Sequence, residues 1–207
     1  MHKTNSAVHL WTLNDQSLNC PFLLKKLYGL LSSDEKDKLE KFVMPKKKHQ
    51  FLIVRAVTRQ LLSLYTKTPA RRLQFSVNSN GKPYLVNQGC ENPIFFNISH
   101  TEKMIVWAIS REHEVGVDVE YTPKKRNVLG IAQNVFSTKE VDELQSLPPA
   151  ERNEKFFELW TLKEAYIKAH GLSLTTLLTN NSFLENIQCH FWHIKPNNTH
   201  KIAVVVF

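Results

Sequence analysis

The sequence predicts an α+β protein of two similar halves, each a long helix packed on a small antiparallel sheet. Three observations carry this. "QFLIVRAVTRQLLSLY" has apolar residues at helical spacing and is followed by short strand-like runs. "ERNEKFFELWTLKEAYIKAHG" repeats that order. The closing runs "NIQCHFWHI" and "KIAVVVF" then echo "FFNIS" and "KMIVWAIS" of the first half. The halves divide as residues 1–112 and 113–207, with the boundary near Arg111 to Glu114. The repeat is weak, and one mixed domain is the other arrangement it admits.

The elements follow in order. "SSDEKDKLEKFV" opens a helix on Ser32 or Ser33 as cap, with acids in its first turn. Pro45 and the cluster Lys46, Lys47, Lys48 and His49 come next, ahead of the first long helix. "LQFSVNSNGKPYLV" reads as two short strands around an Asn-Gly turn. "IFFNIS" and "MIVWAIS" read as strands flanking a turn at Thr101 to Lys103. "EVGVDVEY" is a further strand, and "TPKKR" breaks the chain after it. "STKEVDEL" carries a Ser cap with Glu three residues on, a capping box. Gly171 stops the second long helix.

Composition narrows the class. With 207 residues, 42% hydrophobic and few Gly or Pro, the chain is globular rather than disordered. The three cysteines, Cys20, Cys90 and Cys189, are scattered, which fits a reducing compartment and no zinc ribbon or disulfide framework. "MHKTNSAVHLWTLND" has no apolar core of a signal peptide. "MIVWAI" and "IAVVVF" are too short to span a bilayer, so the expectation is a soluble cytoplasmic protein. The formal net charge of +8 fits a solubilising basic surface. It equally fits an anionic partner: nucleic acid, a phosphorylated small molecule or an acidic protein.

Asp118 and Glu120 stand two apart on a strand and share a face, while Val117 and Val119 take the other. Two such carboxylates repel unless a cation stands between them. Hard oxygen ligands in this number suit Mg²⁺. The plain alternative is an exposed strand face with two solvated acids. Glu164 tilts the balance. At about 100° per residue, Phe157, Trp160 and Ile167 fall within about 60° of it. A carboxylate on an apolar face marks function more often than a surface one. Lys168, one turn on, is placed for an i,i+4 pair with Glu164. Lys82 after its turn, and Ser99 and His100 at a strand end, are candidates for holding phosphates, or ordinary structural residues.

The ordered set "NGKPYL", "FNISH", "VGVDVE" and "LWTLKEAYIKAHG" resembles the surfactin-type 4′-phosphopantetheinyl transferases, from roughly Phe42 to Gly171. The resemblance implies transfer of the phosphopantetheine arm of coenzyme A to a serine of an apo acyl or peptidyl carrier protein, releasing 3′,5′-ADP. It implies Mg²⁺ on Asp118, Glu120 and Glu164, with Mn²⁺ able to substitute. Glu164 would also be the general base, directly or through a water, and Lys168 would hold the pyrophosphate. Lys82, Ser99 and His100 would hold the nucleotide, His100 near its 3′-phosphate. It further implies a monomer whose two pseudo-symmetric halves clasp coenzyme A. One departure stands out. The family's arginine ahead of a Gly-Arg pair falls here on Lys46, and the pair reads Val54-Arg55. Lys46 meets a phosphate only as a point charge, and Lys48 is the alternative.

Two other readings stand beside this one. "PKKKH" and "PKKR" suggest a nucleic-acid binder, but no base-reading motif accompanies them. A coenzyme A-binding regulator without catalysis is the other, and the intact carboxylates and Lys168 weigh against it.

Overall fold

The structure, a computed structural model, describes residues 7–86, 93–123, 126–172 and 189–207. It is an α+β fold in two halves. In the first, strands β1 (His9–Leu13), β4 (Phe95–Thr101) and β5 (Met104–Ser110) form an antiparallel sheet in the order β1-β5-β4. Helices α1 (Pro21–Tyr28), α2 (Ser33–Glu40) and α3 (Pro45–Thr66) precede a small hairpin of β2 (Phe75–Val77) and β3 (Pro83–Leu85). In the second, β6 (Val115–Tyr121), β7 (His190–Asn197) and β8 (His200–Val206) form a sheet ordered β6-β8-β7. Helices α4 (Val128–Val135), α5 (Thr138–Ser146) and α6 (Pro149–His170) belong to this half.

The alternation of β5 explains how the layers stack. Ile105, Trp107 and Ile109 pack with Ile53, Ala56 and Leu62 of α3. The Trp107 indole also donates to Thr58 Oγ1 of α3 at 2.8 Å. Met104, Val106 and Ala108 point the other way, onto Val117 and Val119 of β6 and Ile202 and Val204 of β8. The valines of β6 are therefore buried between the two sheets, as the sequence required. On the opposite face, Leu162, Ala165 and Ala169 of α6 pack on Ala203 and Val205.

Caps fall where the sequence put them. Ser32, rather than Ser33, caps α2 through a capping box with Glu35, and Ser137 does the same for α5 with Glu140. Gly171 ends α6 at φ +61°, a left-handed conformation that favours glycine. Two features differ from the sequence reading. α3 starts at Pro45, so the lysine cluster lies inside the helix rather than ahead of it. Proline fits the first helical turn, and lysine is a fair helix former. α6 is not apolar on one face only, because Phe156, Phe157, Leu162 and Ala165 cover much of its circumference. The start of "NIQCHFWHI" and Lys124 and Lys125 of "TPKKR" lie outside the described residues. The sequence reading also passed over β1, α1 and α4, which are short and give little periodic signal.

Candidate active site

The site forms where β4, β6 and α6 meet. β6 pairs with β8 along one edge. Its other edge is met by side chains of β4: Asn97 Oδ1 accepts from Val117 N at 3.0 Å and Ser99 Oγ from Val119 N at 3.3 Å. This joins the two halves and sets Ser99 beside Asp118. Gly116 brings α6 close. A Cβ at residue 116 would lie 1.9 Å from the Ala165 carbonyl oxygen and 2.5 Å from Ala169 N, so only glycine lets the helix backbone rest there. Glu164 and Lys168 flank that contact and face the same ground as Asp118.

A cavity of about 390 Å³ results. Its wall includes Ser99, His100, Asp118, Glu120, Glu164 and Lys168, together with Arg126 and Trp160. Ser99 Oγ donates to Asp118 Oδ1 at 2.8 Å. Lys168 Nζ donates to the same oxygen at 2.6 Å and to Ser99 Oγ at 3.1 Å. Glu120 is held by Arg126, whose Nη2 donates to Oε2 at 2.9 Å, and by the Trp160 indole, which donates to Oε1 at 3.1 Å. Glu164 is 7% exposed, and its pKa is raised from 4.5 to about 7. Burial is the main cause, the charge of Asp118 adds to it, Lys168 opposes it and Glu120 adds a further push.

The structure thus brings Ser99, His100, Asp118, Glu120, Glu164 and Lys168 into one cavity. Ser99 is buried and His100 exposed beside it. Lys82 and Lys46 are not part of its wall. Lys82 Nζ donates to the Ala169 carbonyl at 2.6 Å and to Glu114 at 2.5 Å, which caps the end of α6. Lys46 is exposed in the first turn of α3, and Lys48 pairs with Glu40 at 2.6 Å. The expected Glu164–Lys168 pair is corrected: no ion pair within 4 Å joins them among the described residues, and the ammonium reaches Asp118 instead. Asp118 is 5% exposed and shares its Oδ1 with Ser99 and the ammonium, from which Ser99 Oγ also accepts, so Lys168 gains two partners there.

Sequence reasoning missed three contributors. Trp160 entered only as apolar company for Glu164, and Arg126 only as the last residue of a chain break. A polar end on Trp160 one turn before Glu164 was the available signal. Lys163, 1% exposed, pairs with the fully buried Glu140 at 2.8 Å and ties α6 to α5. Nothing in the local sequence marks that pair.

Whether a divalent cation suits these residues is tested by Asp118. Its Oδ2 is buried and has no hydrogen-bond partner among the described residues. An orphaned carboxylate oxygen beside two further carboxylates is the donor chemistry Mg²⁺ takes. As placed, no three of His, Cys, Asp and Glu among the described residues are grouped to hold a metal ion. Glu120 faces Arg126 and would have to turn. The residues fit the cation in type, with internal cations in its stead.

Comparison with known proteins agrees with this layout. Residues 114–205 match the model of the 4′-phosphopantetheinyl transferase superfamily, and residues 21–112 match that of the 4′-phosphopantetheinyl transferase N-terminal region. The 4′-phosphopantetheinyl transferase HetI of Nostoc sp. is 32% identical over 174 residues, 84% of this chain and 72% of that protein. The chain belongs to the 4′-phosphopantetheinyl transferase superfamily. The transferase gsp of Aneurinibacillus migulanus is 33% identical over 87% of this chain and 74% of its own length. The transferase Sfp of Bacillus subtilis is 28% identical over 76% of this chain and 75% of its own. The cavity of this superfamily member is thus built at the seam between the two matched regions, with Ser99 from one and Asp118, Glu120, Glu164 and Lys168 from the other.

Proposed function

We propose that this chain transfers the 4′-phosphopantetheine arm of coenzyme A to a serine hydroxyl of an apo acyl or peptidyl carrier protein. The product beside the holo-carrier is adenosine 3′,5′-bisphosphate. One observation carries the reading: three carboxylates, an ammonium and a hydroxyl from both halves share a single cavity.

Each residue has a role in that reading. Lys168 stands free enough of the core, at 28% side-chain exposure, to exchange Asp118 for a pyrophosphate oxygen. Asp118, Glu120 and Glu164 would hold Mg²⁺, or Mn²⁺ in its place. When bound, the ion supplies charge neutralisation at the pyrophosphate. Glu164 takes the proton of the carrier serine. A carboxylate with a pKa near 7 is matched to that task at neutral pH. The serine oxygen bonds to the phosphorus next to pantetheine as the bridging P–O bond breaks. The leaving bisphosphate carries away the bond's electrons.

The nucleotide end is assigned to residues 1–112 and the metal and base to residues 113–207. Ser99 and His100 stand at the cavity wall, with His100 assigned to the 3′-phosphate. Lys82 and Lys46 stand outside that wall, so their contribution is to be read in KM for coenzyme A alone. Among the described residues no helix is long and apolar enough to cross a membrane. The reading completes as a cytoplasmic monomer that engages neither nucleic acid nor membrane.

The test is a panel of fatty-acid, polyketide and peptide apo-carriers incubated with coenzyme A and Mg²⁺. Mass spectrometry should show the gain of one phosphopantetheine on at least one carrier, and no gain in chelator. Tight coenzyme A binding with no gain on any carrier would leave a regulator instead.

A further inference from the structure

A groove of about 830 Å³ opens on the N-terminal half and shares no wall residue with the carboxylate cavity. Four arginines line it: Arg55 and Arg59 from α3, and Arg71 and Arg72 from the 3-10 turn Ala70–Arg72. Arg59 is only 3% exposed and is fixed from three sides. Its Nε donates to Glu35 Oε2 at 2.6 Å, and its Nη1 donates to the carbonyls of Ala70 and Leu73, both at 2.9 Å. Nη2 has no acceptor among the described residues. The guanidinium lies over the Phe75 ring, 5.1 Å from its centroid, and borders the groove with Nη2 as its uncommitted donor.

Among the described residues around it the charges do not balance: four guanidinium groups face two carboxylates, Asp34 and Glu35. Glu35 is committed already, to Arg59 and to the Ser32 amide at 3.1 Å in the cap of α2. Arg55 stands 3.9 Å from it, too far for a hydrogen bond. The guanidinium groups of Arg71 and Arg72 have no partner among the described residues, and both side chains belong to exposed residues. Gathering like charges around a concave wall costs free energy until an anion joins them. A single carboxylate brings one charge and two oxygens. A phosphate end brings up to two charges and three oxygens, which suits one fixed guanidinium ringed by three others.

We propose that this groove is a second anion site, taking the phosphate or pyrophosphate end of a small molecule, apart from the cavity where transfer occurs. Binding there needs no metal and no coenzyme A.

Calorimetry on the full chain in chelator, with inorganic pyrophosphate and then inorganic phosphate as titrants, tests this. The double variant Arg71→Ala/Arg72→Ala should bind pyrophosphate at least about tenfold more weakly than wild type. Arg59→Lys, which keeps the charge but loses Nη2, should weaken it as well, provided its melting curve shows a folded protein. Lys168→Ala, in the other cavity, should retain a site of wild-type affinity. Phosphopantetheine transfer by the double variant should be unchanged. A loss confined to Lys168→Ala would move the anion to the transfer cavity and overturn the proposal. So would equal affinity in wild type and the double variant. A raised KM for apo-carrier in the double variant, with pyrophosphate affinity intact, would make the groove a docking surface for an acidic protein instead.

Discussion

The ammonium of Lys168 lies 2.6 Å from Asp118 Oδ1, across fifty positions of sequence. It fastens the last turns of α6 to the middle of β6 and neutralises a carboxylate that is 5% exposed. Lys168→Ala strands that charge with Ser99 as its remaining donor. The variant should lose about 1–3 kcal/mol of stability in chelator. Added Mg²⁺ should restore part of it, since a cation at Asp118 does the work of the ammonium. Thermal melts with and without Mg²⁺ read both effects. A variant whose melting point ignores Mg²⁺ would remove Asp118 from the metal site.

Arg126 and Glu120 form a second such pair at 2.9 Å. A cation cannot take Glu120 without displacing the guanidinium. Arg126→Gln should therefore bind Mn²⁺ more tightly than wild type when coenzyme A is absent, by roughly tenfold if one paired charge is released. Electron paramagnetic resonance of free Mn²⁺ measures this directly. Weaker Mn²⁺ binding would show that Arg126 shapes the carboxylate rather than competing for it.

Glu164 should leave a mark on stability against pH. Its pKa is raised from 4.5 to about 7, so between those values the folded state holds a proton that the unfolded state has released. Stability is then lost as pH rises through this window, on the order of 2–3 kcal/mol in metal-free protein. Glu164→Gln should flatten that slope, matching wild type near pH 4.5 and exceeding it at pH 8. The same change should cut kcat roughly 10²-fold or more and erase the acidic limb of its pH profile. Denaturant melts across pH and steady-state rates give the two readouts. A Gln variant with normal kcat would end the role of Glu164 as base.

Gly116 sets how closely α6 lies on β6. Gly116→Ala puts a methyl group 1.9 Å from the Ala165 carbonyl, and backbone cannot yield as a side chain does. The expected cost is about 3 kcal/mol or more, with transfer lost in whatever fraction folds, because Glu164 and Lys168 move with the helix. Urea unfolding and specific activity per folded molecule check this. An active variant of unaltered stability would mean that the helix stands further off.

Local pattern carried much of this protein. The Val-Asp-Val-Glu alternation, the two capping boxes, Gly171 and the aromatic company of Glu164 are rules of period and cap. They act within a few residues, so the sequence alone determined the two long helices and most of the strands, though not β1, α1 or α4, and set Asp118 and Glu120 on the face opposite the valines. Which charge meets which is a different matter. Lys168 could bond Glu164 one turn away or Asp118 across the seam, and periodicity favours the first. The tertiary structure chose the second, because Gly116 admits α6 closely enough for an ammonium to reach a buried carboxylate. The same holds for Arg126 on Glu120, for Lys163 on Glu140 and for Lys82, which is drawn to the end of α6 and away from the cavity. These pairings depend on distances between segments far apart in the chain, and only packing sets those distances.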